Sequence, residues 1–194
     1  MTVRPDTELH VASSTTFAPG GTVTVQSGGS GNAYDGSLHI DDSAVFTGAG
    51  TESYSLGGSF TMDTGASFTA ASSSVAMTAT TTGKTITTPS PQSITFYDLS
   101  FTGVGGGWSV DGNIVVGGDL AMATGTLSGT KNITVTTGSF AGNGTVQLTG
   151  GTTSLYETNT LGGTTPWSFY NLTLGSGSTV GTTTAPSATT TVAV

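Results

Sequence analysis

The chain has 194 residues, a formal net charge of −8 and no cysteine, and only 7% of its residues are charged. Because Arg4, Lys84 and Lys131 are the only Lys or Arg residues, the clustered positive charge that binds nucleic acid or anionic membranes is missing, and neither partner is expected. The lack of cysteine excludes disulfides, cysteine–zinc sites and thiol catalysis. No run approaches the roughly 18 apolar residues of a spanning helix, so no membrane span is predicted.

Residues 1–20 are the least regular part of the sequence, and we expect an irregular N-terminal cap or lead-in there. The alternating segment 22–25 predicts a strand, and the Gly/Ser/Asn-rich segment 27–36 predicts a surface loop. Beyond this loop, short pairs of large apolar residues separated by one residue recur along the chain. Because the sequence has no 3.6-residue period, helix should be nearly absent.

The apolar pairs between residues 94 and 148 repeat with a fixed period. Ile114 is followed 19 positions later by Ile133, and Leu120 is followed 20 positions later by Phe140. Each period contains three such pairs. This pattern predicts an all-β fold, a parallel β-helix (β-solenoid) with three short strands per coil of about 20 residues.

On this interpretation residues 1–194 form a single solenoid segment of about nine or ten coils, about 45 Å long at ~4.8 Å per coil. Residues 178–194 would form a truncated last coil. A Gly/Ser/Thr-rich chain can also be a disordered linker, but linkers do not keep a regular apolar spacing. The open ends of a solenoid are exposed sheet edges, so we expect self-association through the ends.

Two internal similarities add to the repeat. Residues 57–68 (GGSFTMDTGASF) resemble residues 117–128 (GGDLAMATGTLS) at an offset of 60, which equals three coils. Residues 94–103 resemble residues 167–177 at an offset of 73, which predicts an insertion around residues 156–166. We also expect a positive φ at three corner glycines, which are Gly125, Gly138 and Gly144.

The segments FYNLTL, GNIVVGGDLAMATGTLSG and NITVTTGSFAGNGTVQLTGG resemble the repeats of large bacterial cell-surface proteins, the filamentous-haemagglutinin-like or adhesin-like β-solenoids. In that family F-x-N-L-T-[IL] and G-[DN]-L-[TS]-[VM]-x-[TS]-G-T-L recur many times. The resemblance covers roughly residues 38–177 and departs from the pattern at Asp98 and in residues 150–166, whereas Asn171 keeps it. It implies secretion, display on the cell envelope and a passive, extended shape without catalytic residues.

Five aspartates are candidates for a structural Ca²⁺ site. Asp98 and Asp119 each precede an inward Leu and should point outward on neighbouring coils, about one strand spacing apart. Asp35, Asp41 and Asp42 flank the predicted loop without the spacing of an EF-hand. Since Ca²⁺ takes about six to eight oxygen ligands, the alternative interpretation is that these carboxylates are solvated surface charges.

The alternative function is that of a polysaccharide-binding or polysaccharide-degrading β-helix. A hydrolase needs two carboxylates roughly 5–9.5 Å apart, which Asp98 and Asp119 could supply. A lyase needs a base and a cationic clamp, which three scattered basic residues do not provide. His10 and His39 are predicted to be isolated surface or turn residues, so we expect no enzyme activity and no required cofactor.

Ice binding is a lesser alternative, because it uses stacked Thr-x-Thr units. Such units occur at 22–24, 85–87 and 134–136, but we predict that they do not recur one coil apart. Outward tyrosine rings would serve glycan binding, and the candidates are Tyr34, Tyr54, Tyr97, Tyr156 and Tyr170.

These observations predict a structural or adhesive segment of a secreted or cell-surface bacterial repeat protein. Such a segment acts as a stalk, a filament or a surface-binding module. Its expected partners are an extracellular glycan, a protein surface or further copies of the chain.

Overall fold

A computed structural model describes residues 1–29, 31–157, 160–175 and 179–180 of the chain, the last two by their backbone only. The described residues form strands, turns and bends, and they include no helix. Consequently, no described segment is a helix long and apolar enough to cross a membrane.

The strands follow one another in groups of three, each group forming one coil. The first four coils are β1 (Thr2–Val3), β2 (Leu9–Val11), β3 (Thr16–Phe17); β4 (Val23–Val25), β5 (Leu38–Ile40), β6 (Val45–Thr47); β7 (Ser53–Leu56), β8 (Phe60–Met62), β9 (Ser67–Thr69); and β10 (Ser74–Met77), β11 (Lys84–Thr87), β12 (Ser93–Phe96). The later coils are β13 (Asp98–Phe101), β14 (Gly107–Val110), β15 (Asn113–Val116); β16 (Leu120–Met122), β17 (Thr126–Gly129), β18 (Ile133–Val135); β19 (Phe140–Gly142), β20 (Thr145–Leu148), β21 (Thr152–Leu155); and β22 (Thr160–Gly163), β23 (Asn171–Leu174), followed by β24 (Thr179–Val180).

Equivalent strands of successive coils pair in parallel and build three faces of a solenoid. Face 1 is a nine-stranded sheet that runs from β1 to β24 through the first strand of each coil. Face 2 is a seven-stranded sheet that runs from β2 to β20. Face 3 consists of a three-stranded sheet (β3, β6, β9) and a five-stranded sheet (β12, β15, β18, β21, β23).

The register within each face confirms the predicted β-solenoid with three strands per coil. Leu120 pairs with Phe140 on face 1, and Ile114 pairs with Ile133 on face 3. The described residues make about eight coils, fewer than the nine or ten predicted. One reason is an insertion in the second coil, and another is that residues 181–194 lie outside the described residues.

The core fills the space inside the coils. Alternate residues of each strand point inward, and the inward Leu, Ile, Val, Phe and Met side chains are almost completely buried. Aromatic rings pack against one another in the core; Phe60, for example, meets Phe68 and Phe96 edge to face, with ring centroids 5.0 and 5.4 Å apart. Each fully buried side chain of this size stabilises the fold by about 1.5–3 kcal/mol, so coils that are weak alone become stable when stacked.

The insertion lies between β4 and β5, at residues 26–37. Val23 on β4 pairs with Tyr54 on β7, 31 positions later, whereas Tyr54 pairs with Val75 after only 21 positions. The loop predicted at residues 27–36 is therefore confirmed, and it lengthens this coil by about half.

Both inferences from internal similarity are wrong. Phe60 lies on face 2 and Leu120 on face 1, so the segments at an offset of 60 are not equivalent. Similarly, Leu99 lies on face 1 and Leu172 on face 3. Two registers span residues 156–166, Thr152 with Asn171 and Gln147 with Ser168, and they keep offsets of 19 and 21, so no insertion occurs there. The physical reason is that all three faces need the same pattern of a corner followed by alternating inward residues.

The N-terminal segment is more regular in the structure than the sequence predicted. Residues 1–20, expected to be an irregular cap, contain β1, β2 and β3 and form the first coil of the solenoid. The predicted truncated last coil at residues 178–194 lies outside the described residues, except for β24, which pairs with β22.

Of the three corner glycines, Gly125 has the predicted positive φ, at 76°, whereas Gly138 and Gly144 do not. Gly138 is required for a different reason. A Cβ atom there would overlap the carbonyl group of Gly118 on the preceding coil. The corner thus selects glycine because two backbones approach closely, not because of its φ angle.

Face 3 is interrupted between the third and fourth coils, where β9 and β12 do not pair. The side-chain amide of Gln92 donates to the carbonyl oxygen of Ala66 across this gap. Faces 1 and 2 continue through the same level, with β7 paired to β10 and β8 to β11.

Candidate functional site

Two histidines stack on the outer surface of face 2. His10 is the central residue of β2 and His39 that of β5, and the register places one directly over the other. Their strand neighbours are apolar and point inward, so both imidazoles must point outward. The two rings are nearly parallel, with an interplanar angle of 6° and centroids 5.0 Å apart.

Asp41, just beyond the end of β5, faces both rings. Its Oδ2 atom lies 3.1 Å from His10 Nε2, and its Oδ1 atom lies 3.6 Å from His39 Nε2. The hydroxyl of Ser13 also donates to Oδ2, at 3.2 Å. The contact with His10 is the main cause that lowers the pKa of Asp41 below its ordinary value, against a smaller opposing effect of burial.

Two further carboxylates complete the group, which we call the His–Asp cluster (Glu8, His10, His39, Asp41 and Asp63). Asp63, just after β8 on the third coil, places Oδ2 2.9 Å from His39 Nε2. Glu8 places Oε1 3.6 Å from His10 Nδ1, on the side of the ring away from Asp41. The cluster therefore joins side chains from three consecutive coils. The side chains are half-exposed, with His10 at 45% and His39 at 27%.

The prediction that the histidines are isolated is wrong. The expected spacing of about 20 residues hid their relation, because the insertion separates them by 29 positions. A signal was present in the sequence. The segment LHVASSTTF (9–17) matches LHIDDSAVF (38–46) with the same apolar alternation and the same histidine position.

Asp35, one of the predicted Ca²⁺ ligands, is fully buried in the insertion. Its Oδ1 accepts hydrogen bonds from the backbone N–H groups of Asp6 and Gly28, at 2.9 and 2.7 Å. Its Oδ2 accepts from the Gly29 N–H at 2.8 Å and from the Ser27 hydroxyl. Burial raises the pKa of Asp35, but these donors together outweigh it and lower the pKa to about 2. Its oxygens thus hold the loop together.

Asp98 and Asp119 occupy equivalent corners of neighbouring coils, as predicted. Asp98 Oδ1 accepts the Asp119 backbone N–H at 2.8 Å, and Asp119 Oδ1 accepts the Ser139 N–H at 2.8 Å. A second ladder has the same form, because Asn113 Oδ1 accepts the Asn132 N–H at 3.1 Å. Both ladders link one coil to the next through side-chain oxygens, a role that the sequence analysis missed.

The five predicted aspartates are not brought together. Among the described residues, one group of three or more His, Cys, Asp or Glu side chains has ligand atoms within 4.8 Å of one another, and it is His10, His39 and Asp41. Asp42 is exposed next to this group. Asp41 is therefore the only predicted ligand that belongs to the group, and its neighbours there are imidazoles.

A groove of about 540 Å³ lies beside the cluster, between the insertion and face 2. Residues with polar or aromatic side chains line it, including Glu8, Tyr34, His39, Thr61 and Lys84. Tyr34 is 60% exposed, whereas Lys84 is 6% exposed. One of the three basic residues thus shares a groove with a histidine and an exposed tyrosine.

No family model, no curated protein and no solved structure matches this chain. Its chemistry must therefore be argued from its own residues. The His–Asp cluster offers two imidazole nitrogens and several carboxylate oxygens at one open surface, a set of donors that suits proton exchange or metal ligation.

Two further predictions concerned the faces. Tyr54 is buried in the core at 1% exposure, so it cannot offer an outward ring, whereas Tyr34, Tyr97, Tyr156 and Tyr170 are exposed. The prediction that the Thr-x-Thr units do not recur one coil apart is confirmed on face 3, where Thr134 pairs with Val115 and Ser154. One outward column there consists of Thr95, Val115, Thr134, Ser154 and Thr173. Threonine occupies alternate coils of this column.

Proposed function

We propose that this chain is a structural or adhesive segment of a secreted or cell-surface bacterial repeat protein, and that it is not an enzyme. The observation that carries this proposal is the continuous stack of coils around a filled core. Each coil adds a fixed length of about 4.8 Å along the axis, so the stack forms an extended body that suits a stalk or a filament. The resemblance of the repeats to filamentous-haemagglutinin-like adhesins supports the same role.

The N-terminal end of the solenoid supports self-association as a part of this role. The first coil offers unpaired strand edges, and three of its apolar side chains are only partly buried: Val3, Leu9 and Phe17. Exposed edges of parallel sheets pair readily with further strands. A second solenoid end, or more coils of the same kind, would cover these groups.

The proposal is tested by locating the protein on the cells that produce it. Antibodies raised against the purified chain should label intact cells, and protease added to intact cells should remove the signal. Label that appears only after permeabilisation would contradict surface display. Incubation of the purified chain with a panel of polysaccharides should release no reducing ends, and reproducible release would contradict the non-catalytic assignment.

The groove beside the insertion favours a second candidate function, the binding of a polysaccharide. Tyr34 offers an exposed ring for stacking on a sugar, and Glu8 and His39 offer hydrogen-bonding groups along the same groove. A glycan array followed by calorimetry tests this candidate. Tyr34→Ala should abolish binding, whereas Tyr170→Ala, which removes an exposed ring elsewhere, should not. Equal effects of the two substitutions would contradict the groove as the site.

A further inference from the structure

We propose that the His–Asp cluster binds one divalent transition-metal ion of the Zn²⁺ class. The ligands are His10 Nε2, His39 Nε2 and the carboxylate of Asp41, with Asp63 as the fourth. The site shares His39 and Glu8 with the groove, but metal binding is measured without any glycan, so its test does not depend on the groove-binding or stalk roles.

The distances between the donor atoms fit a tetrahedral site. With metal–ligand bonds of about 2.0–2.1 Å, tetrahedral geometry places neighbouring ligand atoms roughly 3.3 Å apart. The contacts of Asp41 with the two Nε2 atoms are 3.1 and 3.6 Å, and that of Asp63 with His39 is 2.9 Å. These three contacts lie close to this value. Asp63 is not part of the group whose ligand atoms all lie within 4.8 Å of one another, so on metal binding its side chain would rotate towards His10 and Asp41.

Hydrogen bonding within the cluster cannot satisfy all of its acceptors. His39 Nε2 carries at most one proton, yet two carboxylates face it, those of Asp41 and Asp63. With neutral imidazoles the cluster contains three carboxylate charges. No Lys or Arg among the described residues forms an ion pair with them. A divalent cation placed between the donors would offset this charge and would use every facing lone pair.

Glu8 supplies the outer contact that metal-binding histidines usually have. Its carboxylate lies beside His10 Nδ1, the ring nitrogen that does not face Asp41. At 3.6 Å this contact is longer than a hydrogen bond, and a small rotation of Glu8 would bring it within reach. A proton then held on Nδ1 would leave the Nε2 lone pair free for a metal. Because half of the donors are imidazole nitrogens, Zn²⁺, Co²⁺, Ni²⁺ or Cu²⁺ should bind in preference to Ca²⁺ or Mg²⁺. This differs from the calcium site that the sequence suggested around Asp41.

The bound ion would tie together the first three coils. Each of these coils contributes at least one ligand. His10 lies in the first coil, His39 and Asp41 lie in the second, and Asp63 lies in the third. Metal binding would therefore stabilise the first three coils of the solenoid against separation.

The test is a titration of the full chain, without a histidine tag and after treatment with EDTA. Calorimetry with Zn²⁺ should give one ion per chain, and the melting temperature should rise with Zn²⁺ but not with the same concentration of Ca²⁺. Because the chain contains only two histidines, the imidazole NMR signals report the site directly. Both should shift on addition of Zn²⁺.

Variants assign the ligands. His39→Gln and Asp41→Asn should remove the binding, and Glu8→Gln should weaken it about tenfold or more, as loss of an outer contact does. Asp42→Asn changes an exposed neighbouring carboxylate and should bind as the unmodified chain does. Absence of binding heat, imidazole signals that do not move, equal binding of Ca²⁺, or equal effects of Asp42→Asn and Asp41→Asn would each overturn the proposal. The imidazole shifts are measured on the unmodified chain, so they test the site even where a variant folds poorly.

Discussion

The carboxylate of Asp35 accepts a hydrogen bond from the backbone N–H of Asp6 at 2.9 Å, across 29 positions of sequence. The same side chain also binds Ser27, Gly28 and Gly29 within its own loop. One buried carboxylate therefore closes the insertion on itself and fastens it to the first coil. Its ionised form is needed, because all four partners donate.

Asp35→Asn should reduce the free energy of unfolding by about 2 kcal/mol near neutral pH. The folded pKa of about 2 is below the ordinary value of 3.8. The contribution of Asp35 is therefore present in full above about pH 5 and is lost as the pH falls towards 2. Urea unfolding measured between pH 7 and pH 2.5 should show the two proteins converging in acid. A difference that stays constant with pH would contradict this account, and Asp42→Asn serves as the control.

The two tryptophans provide a matched pair of substitutions. Both side chains are 1% exposed, and Trp167 Nε1 donates to the Gly144 carbonyl oxygen at 2.8 Å. Trp108 Nε1 is buried and has no hydrogen-bond partner among the described residues. Trp167→Phe removes one hydrogen bond and leaves the Thr165 hydroxyl as the donor to the Gly144 carbonyl oxygen. It should therefore cost about 1 kcal/mol more than Trp108→Phe, which removes an unsatisfied donor. Chemical denaturation of both variants checks the order, and equal losses would contradict it.

Gly138→Ala should destabilise the chain by about 2 kcal/mol, because the new Cβ overlaps the backbone of Gly118 on the neighbouring coil. Gly117→Ala is the control. A Cβ there meets the Phe96 carbonyl oxygen at 3.6 Å, which is an ordinary contact, so a change below about 0.5 kcal/mol is expected. Thermal melts of the two variants distinguish close approach from a general loss of glycine flexibility. Similar melting temperatures would show that the corner backbone can move apart.

Thr2→Lys should weaken self-association, since a charge on an edge strand opposes pairing with another strand. Thr2 lies on the terminal strand β1, its side chain is exposed, and it pairs with Thr24 on β4. Thr24→Lys introduces the same charge on β4, one coil inward, and should leave association unchanged. Light scattering over a range of concentrations measures the effect. An unmodified chain that stays monomeric at every concentration would contradict end-to-end association.

The sequence predicted the fold where the coils are regular. Between residues 94 and 148 each inward residue recurs after one coil, and pairs such as Ile114 with Ile133 followed directly from counting. The faces could not be told apart in this way, because every face repeats the same inward and outward alternation. Sequence similarity between segments on different faces was therefore mistaken for structural equivalence.

The candidate site was missed for a related reason. A fixed period places His10 and His39 on different faces, and only the insertion of residues 26–37 brings them into register. The partners of Asp35 could not be inferred either, because three of its four donors are backbone N–H groups, which every residue except proline has. Which polar side chains meet in this chain depends on the register between coils, and the register depends on the length of the loop at residues 26–37.

The missing pairing between β9 and β12 has a mechanical consequence. At that level two sheets, not three, carry hydrogen bonds from one coil to the next. If the chain bears tension along its axis, the join between the third and fourth coils is a compliant place within the described coils. Separation at this join would part the N-terminal coils, with their histidines, from the rest as one piece.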